Sequence, residues 1–296
     1  MLKRLEVFFI ASIFILVTAI ILIIYTMERE QEFRSHSSNI QNSIVNSAAY
    51  AINLQLENKR RHINLFLDEY SRLIQHPNRF PEDERTSKSI SHRLQQRFTD
   101  FFTYTITDVN GNPLLLDIED LVGEACERDL NNYASLVKRE VEDVKNEVFL
   151  HPQPLYYHYD IMAKINENGR ETRIFFASFY LNEIADTLKA HEVAGQQLLL
   201  VRQSAPTLIE VSRQGARDKL DREINLTHDE LTLNIISVDI PDTDWRLISL
   251  PDDEFEADYI SGLWTEVIVI LSIISVALFL MISFMFRLSE KNEEAG

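Results

Sequence analysis

The chain has 296 residues, 45% of them hydrophobic, a single cysteine and a formal net charge of −17 at neutral pH. Lys3, Arg4, Arg287 and Lys291 cancel Glu6, Glu290, Glu293 and Glu294, so the whole negative charge falls within residues 26–266. Such a surface repels phosphate backbones and argues against nucleic-acid binding, and one cysteine excludes an intramolecular disulfide.

The first element in chain order is Val7 to Tyr25, VFFIASIFILVTAIILIIY, nineteen residues without a charge. That length spans the hydrocarbon core of a bilayer as a helix. The TMEREQEF that follows is not a small-residue cleavage site, so the span is expected to be retained. A second such run, Val267 to Phe286, is twenty residues long. Lys3 and Arg4 flank the first run and Arg287 and Lys291 the second, whereas no Lys or Arg lies between Arg246 and the second run. This bias places both termini in the cytoplasm and the body between the spans outside it. The expected division is a cytoplasmic N-terminus at 1–6, a transmembrane helix at 7–25, a stalk helix and connection at 26–97, an exported domain at 98–262, a second transmembrane helix at 263–286 and a cytoplasmic tail at 287–296.

From Glu28 to Gln75 there is neither Pro nor Gly, and Phe33, Ile40, Ile44, Ala48, Ile52, Leu56, Ile63, Leu67, Tyr70 and Ile74 recur in steps of three, four and seven. They mark one face of a long helix, which His76-Pro77 is expected to end. Either a second copy in a dimeric stalk or the chain's own domain covers that face.

Strands follow. FFTYTITDVNGNPLLLD carries Asn110-Gly111 between apolar runs, a hairpin signal. A polar helix is expected over about 129–148, ended by His151-Pro152. YYHYDIMAKI and TRIFFASFYL around NENGRE read as a second hairpin, and Leu181 to Glu192 as a short helix. QQLLLVRQ, TLIEVS, ELTLNIISVDI and WRLISL supply further strands, with turns at Pro206, Gly215 and Pro241-Asp242. Adjacent strands joined by tight turns imply an antiparallel sheet, and the flanking helices make the class α+β.

TITDVNGNPLLLD (Thr105 to Asp117), IFFASFYLNEIADTL (Ile174 to Leu188) leading into QQLLLVRQ, and TDWRLISLP (Thr243 to Pro251) occur in an order that resembles the extracytoplasmic Cache sensors, the PAS-like domains of bacterial chemoreceptors, histidine kinases and cyclases. The resemblance implies two transmembrane helices flanking a PAS-like domain, with a long N-terminal stalk helix and one central antiparallel sheet. It also implies small-molecule binding outside the bacterial inner membrane and signalling across it. Trp245 matches the tryptophan that opens the last strand in such domains, and a single PAS-like unit fits the length after the stalk better than a double one.

Within YYHYD, Tyr157 and Tyr159 offer rings to enclose a ligand, Asp160 offers a carboxylate for an ammonium, and Arg173 a guanidinium for a carboxylate. Tyr157 and Tyr159 share one strand face and His158 and Asp160 the other, and the tyrosines also read as core residues. The alternative site is acidic. Asp242, Asp244, Asp252, Asp253, Glu254, Glu256 and Asp258 precede the second span, and Asp252, Asp253 and Glu254 are candidate ligands for a divalent cation; the same residues also read as a solvated rim. No cofactor beyond such a cation is expected, and Cys126 reads as a small packed residue.

Catalysis has no motif behind it: a Gly-rich phosphate loop, HExxH and G-x-S-x-G are all missing from the sequence. Ten residues follow the second apolar run, too few for a core. The expectation is therefore a sensor without its own output domain, whose partners are the lipid bilayer, a signalling protein such as a histidine kinase, cyclase or chemoreceptor, and a second copy in a homodimer. A non-sensing envelope scaffold is the other class.

Overall fold

The computed structural model describes residues 2–70, 74, 84–114, 124–139, 144–152, 156–165, 172–233 and 235–294. The chain forms two compact units, residues 1–40 with 252–296, and residues 41–251.

The first unit contains the start of helix α1 (Leu2–Glu69) and helix α6 (Asp253–Glu294). Both hold windows long and apolar enough to cross a membrane. Their large side chains, such as Phe9, Ile13, Ile268 and Phe279, are exposed, unlike those of a core helix in a soluble protein. The two helices touch through the Phe8 and Phe286 rings, the stacked Phe33 and Tyr259 rings with centroids 4.1 Å apart, and an Arg34–Glu256 ion pair at 2.6 Å. The Asp252 carboxylate accepts the Glu254 and Phe255 N–H groups and so caps α6.

In the second unit, the rest of α1 buries Val45, Ala48, Ala49, Ile52, Leu56, Ile63, Phe66 and Leu67 in the core of the domain. The apolar stripe read from the sequence is therefore covered, along this length, by the chain's own domain. Each buried aliphatic side chain contributes about 1.5–3 kcal/mol, which holds the helix to the sheets. Helix α2 (Glu84–Arg97) lies in the stretch expected as a polar connection and packs through Ile90 and Leu94.

Two antiparallel sheets are present where one was expected. The first has the order β1-β4-β3-β2, from β1 (Phe101–Thr107), β2 (His151–Pro152), β3 (Tyr157–Ile165) and β4 (Arg173–Tyr180). The second has the order β7-β6-β5-β9-β8, from β5 (Gln196–Arg202), β6 (Ile209–Ser212), β7 (Gly215–Ala216), β8 (Ile236–Asp239) and β9 (Trp245–Pro251). Helix α4 (Asn182–His191) carries the chain between them. The central strands are apolar on both faces, so alternation says nothing about which strand pairs with which.

Three local readings also change. The Asn110-Gly111 turn exists, with Gly111 at φ +89° and the Asp108 carboxylate accepting the Asn110 and Asn112 N–H groups. It closes a Thr107–Pro113 bridge, Leu115 to Asp117 of the expected second strand lie outside the described residues, and β1 takes β4 as its partner. Helix α3 spans Glu124–Lys138 rather than 129–148, and Val148 bridges Thr243 in extended form. In ELTLNIISVDI only Ile236–Asp239 is strand, because the capping box of Thr227 and Glu230 starts the short helix α5 (His228–Leu231) first.

Candidate functional site

The first sheet has α1 on one face and α3 on the other. Strand β3 sends Tyr159, Ile161, Ala163 and Ile165 into the core shared with α1, and His158 and Asp160 to the face of α3. On α3, Cys126 and Asp129 are one turn apart, on the side that also buries Leu130, Tyr133, Ala134 and Val137. His151 of β2 pairs in register with His158 of β3, and Asp160 of β3 with Ser178 of β4. Helix and sheet thus bring Cys126, Asp129, His151, His158, Asp160 and Ser178 together, every one 6% exposed or less.

The distances within the cluster are short. Cys126 Sγ lies 3.4 Å from His151 Nδ1 and 3.5 Å from His158 Nε2. His151 Nε2 is 3.2 Å from Asp160 Oδ2 and 3.9 Å from Asp129 Oδ2, and His158 Nε2 is 3.7 Å from Asp160 Oδ1. The imidazoles stack with centroids 5.5 Å apart, and the rings of Phe149 and Phe102 lie against His151 and His158. A bulge in β1 between Phe101 and Thr103 accompanies this placement of Phe102.

Some atoms here are satisfied and some are not. The Ser178 hydroxyl donates to Asp160 Oδ1 at 2.6 Å, and the His158 Nδ1–H donates to the Tyr156 carbonyl at 3.0 Å. Among the described residues, Asp129 Oδ2, His151 Nε2 and Asp160 Oδ2 have no hydrogen-bond partner. Buried groups in this condition are uncommon and call for a reason. Burial pushes Asp160 up to about 8, against hydrogen bonds from Ser178 and Cys126. Burial, reinforced by Glu147, pushes Asp129 up to about 7. Burial, with His158 and Arg202 adding to it, lowers His151 to about 3, and burial also lowers His158. At neutral pH Asp160 and His151 are thus largely uncharged, and Asp129 is near its midpoint.

The cluster is wired to α1. Asn146 donates from Nδ2 to the Asp160 carbonyl at 2.8 Å and accepts the Met162 N–H at 3.0 Å, while its own carbonyl accepts Arg60 of α1 at 3.1 Å. Arg60 also reaches the Asp242 carbonyl at 3.4 Å. One residue earlier, Lys59 joins α1 to buried Asp100 and, at 3.0 Å, to Glu183.

The residues chosen from the sequence separate. Asp160 belongs to the cluster. Tyr159 lies on the opposite face, its ring against Phe179 and, at 5.8 Å, Trp245. Tyr157 lines a different cleft of about 200 Å³ with Tyr156, Tyr180, Asn182, Asp218 and Lys219. Arg173 pairs with Ile165 at the far end of the hairpin and donates to the Ile74 carbonyl at 3.4 Å. Of the acidic alternative, Asp252 is engaged as a helix cap, Glu254 is exposed, and the Asp253 side chain lies outside the described residues. Asp242 is paired with Lys145 and Asp244 with Ser204. Cys126, Asp129, His151 and His158 were missed. Cys126-x-x-Asp129 on a helix and His158-x-Asp160 on a strand each share a face, which was the available signal.

The architecture is similar to solved structures. The ligand-binding domain of Mlp24 with asparagine superposes with a TM-score of 0.50 and 12% identity, covering 78% of this chain and 98% of that one. The fold is that of a Cache-like sensor domain. The sensor domain of the V. cholerae histidine kinase DctB has a TM-score of 0.49 at 11% identity, covering 75% of this chain and 99% of its own. The ligand-binding domain of the Pseudomonas fluorescens chemoreceptor CtaA with L-isoleucine has 0.48 at 12%, covering 77% and 98%. No family model matches the sequence, and no curated relative is similar to it.

Proposed function

We propose that the protein is a membrane-anchored extracytoplasmic sensor, not an enzyme, that binds a small ligand on the α3 face of the first sheet. In this reading α1 and α6 cross the bacterial inner membrane through their apolar segments, with residues 26–266 outside and both termini inside. The message passes to a partner membrane protein through these helices. The fold shared with the Mlp24 domain, which was solved with asparagine, supports ligand sensing. The observation that carries the reading is the buried cluster of polar atoms left unpartnered among the described residues and tied through Asn146 to Arg60 of α1. A ligand that engages Asp160 or His151 shifts β3 against α3, and Asn146 transmits the shift to the helix. Binding displaces such an equilibrium only by its differential affinity for the two arrangements.

Hydrogen exchange on the full-length chain in mild detergent tests this. A screen of amino acids, carboxylates and divalent ions identifies ligands by melting temperature, and a ligand at 100 times its Kd adds about 2.7 kcal/mol of stability. The expected result is changed exchange both at 144–148 and along α1 between residues 41 and 69. A ligand that stabilises the chain and leaves α1 exchange unaltered identifies a binding module rather than a sensor.

A further inference from the structure

The same cluster carries a more specific chemistry, which rests on the sensing reading and names its ligand. Cys126, His158 and Asp160 form one set of donors, and Asp129, His151 and Asp160 a second; in each, one ligand atom per residue lies within 4.8 Å of the others. We propose that the cluster is a binding site for one divalent transition-metal ion of the zinc class. Cys126 Sγ, His158 Nε2 and a carboxylate oxygen of Asp160 bind the ion, and His151 and Asp129 lie beside Asp160.

Four observations lead to this assignment. Zinc bonds of about 2.0–2.3 Å at tetrahedral angles separate ligand atoms by about 3.3–3.8 Å. The approaches of 3.5 Å between Cys126 Sγ and His158 Nε2 and of 3.7 Å between His158 Nε2 and Asp160 Oδ1 fall in that range. Secondly, a carbonyl can only accept, so the contact between His158 Nδ1 and the Tyr156 carbonyl places the proton on Nδ1. The Nε2 lone pair then faces Cys126 and Asp160, as in imidazoles whose outer nitrogen is fixed by a backbone carbonyl while the inner one binds metal.

Thirdly, the atoms left unpartnered, His151 Nε2 and one oxygen each of Asp160 and Asp129, are nine-tenths buried or more and converge on one locus. All three can act as acceptors, and a cation is a partner that converging acceptors can share. Fourthly, the donor set selects the ion. Thiolate and imidazole suit zinc and cobalt, while magnesium and calcium take oxygen ligands. One thiolate and one carboxylate balance a dication, so the loaded site is neutral, the form least costly to bury.

Binding is an exchange of protons for metal: the Cys126 thiol and the Asp160 carboxyl each release a proton as the ion enters. The test is a cobalt(II) titration of the metal-stripped, full-length chain in mild detergent, followed by competition with zinc, magnesium and calcium. The expected outcome is one ion per chain, the absorption of tetrahedral cobalt and a thiolate-to-cobalt charge-transfer band. Zinc displaces the cobalt, and magnesium and calcium do not. Cys126→Ser removes the charge-transfer band and weakens zinc binding by at least about 100-fold, beyond the range for loss of an outer-shell partner. Asp252→Asn leaves the titration unchanged.

A wild-type chain that takes up no cobalt, or binds it without the thiolate band, overturns the proposal whatever the variants do. A band that survives in Cys126→Ser also overturns it. If zinc fails while another ligand alters α1 exchange, the metal site falls and the sensing reading stands. If zinc binds and α1 exchange is unaffected, the sensing reading falls and the metal site stands.

Discussion

The two sheets bury ionisable groups in opposite ways. In the second sheet, Glu210 of β6 is fully buried between two arginines: Oε1 accepts Arg202 Nε at 2.6 Å, and Oε2 accepts Arg217 Nη2 at 2.6 Å and Nε at 2.9 Å. Both oxygens are paired, and the charges are kept and satisfied. In the first sheet, Asp160, Asp129 and His151 are buried to a similar degree with no cationic side chain bonded to them among the described residues, where each keeps an unpaired atom. A satisfied ion pair holds a structure in one arrangement. An unsatisfied polar cluster calls for something that completes it, which is why the proposed site is placed on the first sheet and not the second.

Breaking the satisfied region has the largest effect. Glu210→Ala leaves two arginine heads facing each other without their carboxylate, and we expect a loss of about 3–5 kcal/mol, read from urea or thermal unfolding. A loss below about 1 kcal/mol would show that Arg202 and Arg217 find other partners and that the two sheets differ less than their geometry indicates.

Asn146→Ala tests the link between the cluster and α1. It strips the Met162 N–H and the Asp160 carbonyl of their side-chain partner, and a buried group left unsatisfied costs about 1–3 kcal/mol. Beyond this loss, the variant is expected to bind ligand at the cluster while the exchange response of α1 shrinks. An undiminished α1 response places the route elsewhere, with Lys59 and its contacts to Asp100 and Glu183 the next segment to change.

A smaller effect comes from the capping box of the second sheet. Thr227 accepts the Glu230 N–H at 3.3 Å, and the Glu230 carboxylate accepts the Thr227 N–H at 2.7 Å and Arg222 at 2.6 Å. Burial raises the Glu230 pKa, but the hydrogen bonds from Arg222 and Thr227 outweigh it, and the net position is below the usual carboxylate value. A folded pKa below the unfolded one means that this stabilisation is present above the unfolded value and is lost as pH falls through the folded one. Thr227→Ala is expected to cost about 1 kcal/mol, and Glu230→Gln to flatten part of the acid limb of a stability–pH profile. An unchanged acid limb would remove Glu230 from that account.

Much of the second region was legible in the sequence. QQLLLVRQ, TLIEVS and WRLISL are strands, and Pro241-Asp242 makes a turn with Asp242 at φ +55°. The first region was legible in its elements but not in its site. The β3–β4 hairpin reads directly from YYHYDIMAKI and TRIFFASFYL. Cys126 and His151, by contrast, lie 25 residues apart and meet only after α3 has packed on the sheet. His151-Pro152 was read as the end of a helix, because proline punctuates local structure and says nothing of the tertiary neighbour beside it. The tyrosines drew attention by composition, yet strand alternation sends Tyr159 into the core with Trp245.

The smallest expected effect is the most informative. Asp160→Asn replaces a carboxyl that burial already pushes up to about 8 and that is therefore largely uncharged at neutral pH. The amide oxygen still accepts the Ser178 hydroxyl, which donates to Oδ1 in the native chain. The stability of the metal-free chain is therefore expected to change by less than about 1 kcal/mol, whereas the paired Glu210 loses several. Zinc affinity, by contrast, falls steeply, because a neutral amide neither balances the ion's charge nor donates as strongly as a carboxylate. A large stability loss in the metal-free variant would mean that Asp160 is ionised and structurally bonded, and the contrast between the two sheets would then collapse into two versions of the same buried charge.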